Sequence, residues 1–321
     1  MDTLIAMAPQ VLVDGLVLGF MYALITLGYT MVYGVLQLIN FAHSEIFVVG
    51  AFVGVEVLLA LKAWGHLGTL PVFLLLALLL LCGMAAAGLL AVGVERVAYR
   101  PLRNAPRLVP LISAIGVSFF LQDAVRFAES LWRNAFYLTY PSLEALDRRL
   151  RLGGAADLPY KSLVVMAGAV GIMLGLTAFV NRSRVGKAIR AVAEDRPTAS
   201  LMGIDVNRII AVTFFVGGAM GGAAGVLFGI QYSLINPYTG FIPGLKAFTA
   251  AVLGGIGNLP GAMVGGLVLG LLEAASASYL SLLTGGAFGA EYKDILAFSI
   301  LIVILIFRPR GILGEVVAEK V

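Results

Sequence analysis

The sequence predicts an all-α, polytopic membrane protein of about eight to ten spans, and three observations carry that prediction. Of its 321 residues, 60% are hydrophobic and 12% charged, against roughly 25% charged in soluble domains. The apolar residues gather in runs of about 17 to 25, long enough to cross a hydrocarbon layer of about 30 Å as helices. The runs are continuous rather than alternating, which excludes a strand barrel, and a backbone in lipid must satisfy its own hydrogen bonds.

Nine runs stand out: Val11–Tyr33, Glu45–Leu61, Leu70–Val94, Pro110–Phe127, Ser162–Val180, Ile209–Ile230, Leu245–Ile256, Gly261–Leu283 and Tyr292–Phe307. Together they make residues 1–321 a single transmembrane domain. Glu45–Leu61 and Leu245–Ile256 are short, so each either crosses fully or re-enters, and short or Gly/Pro-interrupted segments in matching places of two halves point to a transport site. The opening MDTLIAMAPQ carries Asp2 and no basic residue, so no cleavable signal is expected and the first span serves as its own insertion signal. The single cysteine, Cys82, allows no intrachain disulfide. His43 and His66 are too few and too isolated for a metal site. The net charge of +4 reflects basic loops and not nucleic-acid binding.

Lysine and arginine collect in short loops that stay in the cytoplasm. The loop ERVAYRPLRNAPR carries Arg96, Arg100, Arg103 and Arg107; the stretch 181–207 and its flank carry Arg182, Arg184, Lys187, Arg190, Arg196 and Arg208; the terminal FRPRG carries Arg308 and Arg310. Walking the spans between these points puts the N-terminus outside and the C-terminus inside. The loop 129–161 then falls outside despite Arg133, Arg148, Arg149 and Arg151, and longer loops obey the charge rule less strictly.

A faint internal repeat relates 11–128 to 162–307. Leu38-Ile39-Asn40 recurs as Leu234-Ile235-Asn236, Glu45-Ile46-Phe47 falls where Lys246-Ala247-Phe248 does, and Leu70-Pro71 matches Leu259-Pro260. On the topology above the two Leu-Ile-Asn turns lie on opposite sides, as expected of an inverted repeat. The first turn holds Gln37, Asn40, His43 and Glu45; its counterpart holds Asn236, Tyr238 and Lys246 among Pro237, Gly240 and Pro243. Irregular backbone at membrane depth is tolerated where protein or a water-filled cavity covers it, so both turns are expected to line a pathway. They are equally consistent with interfacial loops in which Asn40 and Asn236 cap the following helices.

Glu45, Glu56 and Glu273 lie in or beside apolar runs, where a carboxylate faces a bundle interior or water. A proton relay is one use. The plainer one has Glu45 opening its helix, favoured by the dipole, and Glu56 and Glu273 bonded to neighbouring helices. Gly217, Gly221, Gly225 and Gly229 recur every four residues, as do Gly261 and Gly265. Each set forms a smooth stripe for close helix packing, within the chain or against a partner membrane subunit.

The stretch 181–207 is polar among apolar neighbours. Arg184–Ala193 shows amphipathic helical spacing, with Val185, Ile189 and Val192 on one face. Asp195 and Pro197 predict a restart, and Gly203 a C-terminal cap, around one short turn. With Ala199, Leu201 and Met202 available for contact, this segment suits either a groove on another protein or an anionic lipid surface.

The segments GYTMVYGVLQLINFAHSEIFVVGAF, RPLRNAPRLVPLISAIGVS, SRVGKAIRAVAEDRPTASLMGIDVNRIIAVTF and FRPRGILG resemble the LivH type of permease from high-affinity branched-chain amino acid ABC importers. Ser44 stands where that family usually has glycine. The resemblance implies a non-enzymatic inner-membrane subunit that works with a second homologous permease subunit, two cytoplasmic ATPase subunits and a periplasmic solute-binding protein. It makes Glu194–Gly203, including Glu194, Asp195, Pro197, Ala199, Leu201, Met202 and Gly203, similar to the loop such permeases present to their ATPases. No Gly-x4-Gly-Lys-Ser/Thr loop occurs in the chain, so ATP and Mg²⁺ are expected on the partners. An importer of urea or short amides, and an ion-coupled secondary transporter, are the alternatives.

Overall fold

The computed structural model describes residues 2–103, 105–106, 108–152 and 156–314. Arg107, residues 153–155 of the predicted external loop and the side chain of Arg151 lie outside the described residues.

Among the described residues, nine helices follow the nine apolar runs. They are α1 (Asp2–Leu36), α2 (His43–Ala63), α3 (Val72–Val94), α4 (Leu108–Trp132), α6 (Tyr160–Arg182), α9 (Val206–Tyr232), α10 (Phe241–Gly254), α11 (Leu259–Leu283) and α12 (Lys293–Phe307). A short α5 (Glu144–Asp147) and the helices α7 (Arg184–Glu194) and α8 (Arg196–Leu201) lie in the connections. Seven of these helices are long and apolar enough to cross a membrane; α10 and α12, at 14 and 15 residues, are shorter. The expectation of a short second span is corrected, because α2 runs 21 residues from His43 to Ala63. Polar His43, Ser44 and Lys62 extend it at both ends, where an apolar-run criterion stops early. The remaining elements among the described residues are a π-helical turn at Glu95–Tyr99, 3-10 turns at Arg100–Leu102 and Ala290–Tyr292, and two small antiparallel pairs. β2 (Arg149–Leu152) pairs with β3 (Ala156–Pro159), and β1 (Leu138–Thr139) pairs with β4 (Leu234–Ile235) through Leu138↔Ile235 and Thr139↔Leu234.

Helices α1 and α9 form the centre, with 67% and 72% of their most apolar stretch buried against 28% for α3, α4 and α6. The peripheral helices turn Phe73, Leu81, Ile112, Phe120 and Leu174 outward, as lipid-facing surfaces do. Packing follows a reciprocal pattern: α1 lies along α11 and α9 along α3, while α2 rests on α3 as α10 rests on α11. Each central helix ends on a left-handed residue, Gln37 at φ 59° and Ser233 at φ 63°, directly before Leu-Ile-Asn. Non-glycine residues seldom adopt this conformation, so two such ends before the same tripeptide are unlike chance.

The glycine stripes are covered by the chain's own helices, one of the two packings their spacing allows. Gly217 meets Gly28 of α1, Gly221 and Gly225 meet the first turns of α2, Gly229 meets Tyr140, and Gly261 and Gly265 meet α10. A Cβ on Gly225 would stand 2.1 Å from the Phe47 carbonyl oxygen, so α2 and α9 hold their distance only without a side chain there. Gly225→Leu is expected to cost about 1–3 kcal/mol or more by overpacking. Gly171→Leu, where a Cβ meets nothing within 4 Å, is expected to be neutral. Thermal unfolding in detergent compares them, and equal midpoints would remove the packing argument.

Candidate functional site

Two ends of the bundle are distinguished by what meets there. At one end α7 and α8 lie beside the end of α1, the segment 95–103 and the C-terminal 308–314. At the other, the segments 133–152 and 156–159 cover the ends of α2 and α9, tied by Arg133 to Glu56, by the Asp157 amide donating to Gln10, and by β1 on β4. The first Leu-Ile-Asn turn belongs to the α7/α8 end and the second to the opposite end.

Helices α7 and α8 are built from capping signals. Ser183 Oγ accepts from the Gly186 amide at 2.8 Å to start α7. Asp195 starts α8 by accepting from the Thr198 amide at 3.2 Å and hydroxyl at 2.6 Å, with Pro197 in the first turn. At its end Gly203 sits at φ +83°. The Gly203 amide donates to Ser200 O at 3.0 Å and the Ile204 amide to Ala199 O at 3.1 Å, the paired bonds of a Schellman ending. The face this presents is narrower than the sequence implies. Leu201 and Met202 are 87% and 78% exposed, whereas Ala199 is 4% exposed and packs inward, on the side of α8 that faces α7 and α9.

Arg196, expected only as an orientation signal, ties α8 to the bundle: Nη2 donates to Val35 O at 2.6 Å, one residue before α1 ends. Burial, and then the nearby Arg103, lower its pKa from the ordinary arginine value. Arg103 itself pairs with the buried Glu95 and donates to Asn207 Oδ1 at 2.6 Å. Between α8 and the end of α1 lies a cavity of about 470 Å³ lined by Gln37, Leu38, Arg103, Glu194, Asp195 and Pro197. The predicted turn and the predicted docking stretch therefore share one cavity, which spacing in sequence does not reveal.

Deeper in, Asn40, His43 and Glu45 are 3%, 1% and 1% exposed. Neither predicted asparagine cap forms. Asn40 Oδ1 accepts from Tyr99 OH at 2.7 Å, and Asn236 Oδ1 accepts from the Tyr238 amide at 2.9 Å. The His43 ring packs edge-on against Tyr29, 4.7 Å between centroids. Glu45 sits in the first turn of α2, and its Oε1 accepts from Ser118 at 3.2 Å and Gln122 at 2.9 Å. Ser118 and Gln122 share one face of α4 at i, i+4 spacing, a polar stripe in an apolar run that was visible in the sequence.

The second turn is held differently. Tyr238 OH lies 3.3 Å from Arg126 Nη1 and 3.4 Å from Asp123 Oδ1. Lys246 does not face open space; its Nζ is 2.7 Å from both Glu273 Oε1 and Asp294 Oδ1. Lys293 lies 3.0 Å from Glu273, and Tyr22 OH donates to Glu273 Oε2 at 2.7 Å. This charge-balanced cluster locks α1, α10, α11 and α12 together. Glu56 bonds Arg133 near the surface, and His66 is exposed in the turn after α2. Among the described residues, no group of three His, Cys, Asp or Glu could hold a metal ion.

Lys246→Met leaves Asp294 without its buried partner and is expected to destabilise by about 3–5 kcal/mol, the range for breaking a buried pair. Arg133→Ala, at a pair with side chains 32% and 29% exposed, is expected to shift far less. Unfolding midpoints in detergent rank the two, and a reversed order would refute the structural role of the cluster.

A family model described as "Branched-chain amino acid transport system / permease component" matches residues 11–305. The chain is 45% identical over 312 residues to the high-affinity branched-chain amino acid transport system permease protein BraD of Pseudomonas aeruginosa, covering 97% of each chain. It is 45% identical over 317 residues to LivH of Escherichia coli, the permease protein of a system with the same description, again with 97% of each covered. A probable branched-chain amino acid transport permease protein of Methanocaldococcus jannaschii is 26% identical over 307 residues, 95% of this chain and 92% of that one. No solved structure matches the chain. A match from the first span to the last, joined to the multi-pass helical fold, means that this chain belongs to the family of branched-chain amino acid transport system permease components.

Proposed function

We propose that the chain is the inner-membrane permease subunit of an ABC importer for branched-chain amino acids. The observation that carries this is 45% identity across 97% of both chains to permeases of that description. In this reading a periplasmic binding protein delivers the amino acid at the end covered by 133–152 and 156–159, and two ATPase subunits engage α8 at the other. A second, homologous permease subunit completes the passage. The chain carries no phosphate-binding loop of its own, so ATP and Mg²⁺ sit on the partners. The basic loops put the α7/α8 end and the C-terminus in the cytoplasm and the N-terminus in the periplasm.

Supply of mechanical energy follows from α8. A helix of six residues closed at both ends by side-chain and Schellman bonds moves as one piece, and Arg196 attaches it to the end of α1. ATPase closure displaces α8, and α1 passes the displacement to the turn Gln37–Glu45. Support for two repeat halves, about 11–128 and 162–307, comes from the matching left-handed ends before Leu-Ile-Asn and the reciprocal packing of α1 on α11 and α9 on α3. Halves of this kind rock against each other around a fixed site.

Leu201→Asp with Met202→Asp removes the exposed apolar face of α8 without touching its caps. Loss of ATPase copurification and of leucine uptake, with the permease still inserted and folded, is the expected outcome. Normal copurification would rule out α8 as the contact. Uptake driven by an ion gradient in vesicles holding this chain alone would sink the importer reading itself.

A further inference from the structure

Buried polar atoms without partners are few in folded proteins and costly where they occur. Here they are concentrated: of the eight such side-chain atoms among the described residues, five belong to Thr30, Asn40, His43 and Glu45. All four residues are at least 97% buried, and all lie on the end of α1 or the turn into α2. Glu45 is the extreme case. Its Oε1 takes bonds from the neutral Ser44, Ser118 and Gln122, its Oε2 takes none, and no cation lies in its hydrogen-bonding shell. In the repeat register its counterpart is Lys246, which has two carboxylates against it. One half of the molecule neutralises its buried charge internally, and the other leaves a carboxyl group waiting.

The surroundings define what it waits for. The first turns of α2 and α10 meet at this point, with Gly240 and Gly244 packed so closely on Ser44 that a Cβ on either would stand within 2.4 Å of it. Neither helix start has a side-chain cap, as is also true of α3, α6 and α12. Most first-turn amides here already bond backbone oxygens, from His43, Glu45 and Ile46 of α2 and from Phe241 and Gly244 of α10, so what the two helix starts offer an anion is their positive dipole ends. A carboxyl group beside them suits a cation. Phe41 and Phe248, with ring centroids 5.8 Å apart, and Tyr29, 6.2 Å from Phe248, provide an apolar wall. Cation, anion and apolar group side by side are the three parts of a zwitterionic, apolar amino acid.

We propose that this junction is the closed substrate site, in which Glu45 takes the ammonium group of the amino acid and the positive ends of α2 and α10 face its carboxylate. The assignment rests on the importer reading above and adds Thr30 and Ser44 to the site while leaving Lys246 outside it. A charge brought in by the substrate supplies the partner that Glu45 lacks, so the site is completed by its cargo and otherwise held shut by neutral hydrogen bonds.

The test uses the complete transporter in proteoliposomes. Glu45→Gln keeps size and hydrogen bonding but not the charge, so leucine uptake is expected to fall about 10- to 100-fold, the range of one lost hydrogen bond to a charged group. ATP hydrolysis stimulated by the loaded binding protein and the unfolding midpoint are expected to persist. Uptake unchanged in Glu45→Gln overturns the site, and so does a fall in uptake matched by an equal fall in stability and stimulated hydrolysis. Failure of the unsubstituted transporter to take up leucine would instead be a failure of the importer reading. Ser44→Cys in a Cys82→Ser background gives an independent reading with a small aqueous methanethiosulfonate. Labelling during turnover that leucine suppresses is expected; labelling in no state, or labelling indifferent to leucine, overturns the proposal.

Discussion

The closeness of α1 and α9 is the constraint on which the other features depend. Gly28 and Gly217 bring the two central backbones into contact, and Gly221 and Gly225 continue the approach along α2. In lipid there is little hydrophobic gain in bringing apolar helices together, so association relies on van der Waals contact between backbones and on hydrogen bonds across them. With side chains at these positions the helices would stand further apart, and the helices α2 and α10 could not begin against each other inside the bundle. The glycine stripes are therefore what makes room for irregular backbone at depth, and that irregular backbone is where the polar side chains collect.

Burial then forces a choice on every ionisable group. Glu95, Lys246 and Glu273 answer it with partners of opposite sign. Such clusters add little net stability over an apolar core, but they penalise any arrangement that separates them, so they fix α12 and α10 on α11 in one register. Glu45 departs from this pattern while lying as deep as Glu273, at 1% and 3% exposure. Stability gives no reason for the difference, because an apolar residue at 45 would remove the cost. A functional requirement for charge at that place is the simpler account.

The fold class was legible because continuous apolar runs have one solution in lipid. The caps at Asp195, Pro197 and Gly203 were legible because they act over three or four residues. What composition hid was the exposure of individual positions: Ala199, Leu201 and Met202 read alike as small or apolar, and only the path of α7 and α9 around α8 turns one inward and two outward. Pairings across long sequence separations were hidden for the same reason. Tyr140 OH reaches Ala51 O at 2.5 Å, and Tyr22 reaches Glu273, yet neither tyrosine carries a local signal. Ser118 and Gln122 did carry one, as a polar i, i+4 pair within an apolar run.

The tether from α8 to α1 has a mechanical consequence for the proposed coupling. Arg196 spends a charged donor on a backbone carbonyl rather than on a carboxylate, so the bond survives only while α8 and the end of α1 keep their separation. Val35 and Arg196 both line the cavity of about 470 Å³ between α8 and the end of α1, so little else packs the two elements together beside that bond. A displacement of α8 must then either pull Val35 with it or give up a buried hydrogen bond to a charged group, an outcome costing about 1.5–3 kcal/mol. Because Gln37 follows one residue after α1 ends and already holds a left-handed conformation, the chain is sharply turned at the point where that pull arrives. Motion is thereby delivered to the turn Gln37–Glu45, where the unpartnered polar groups lie, and not spread along the 35-residue length of α1.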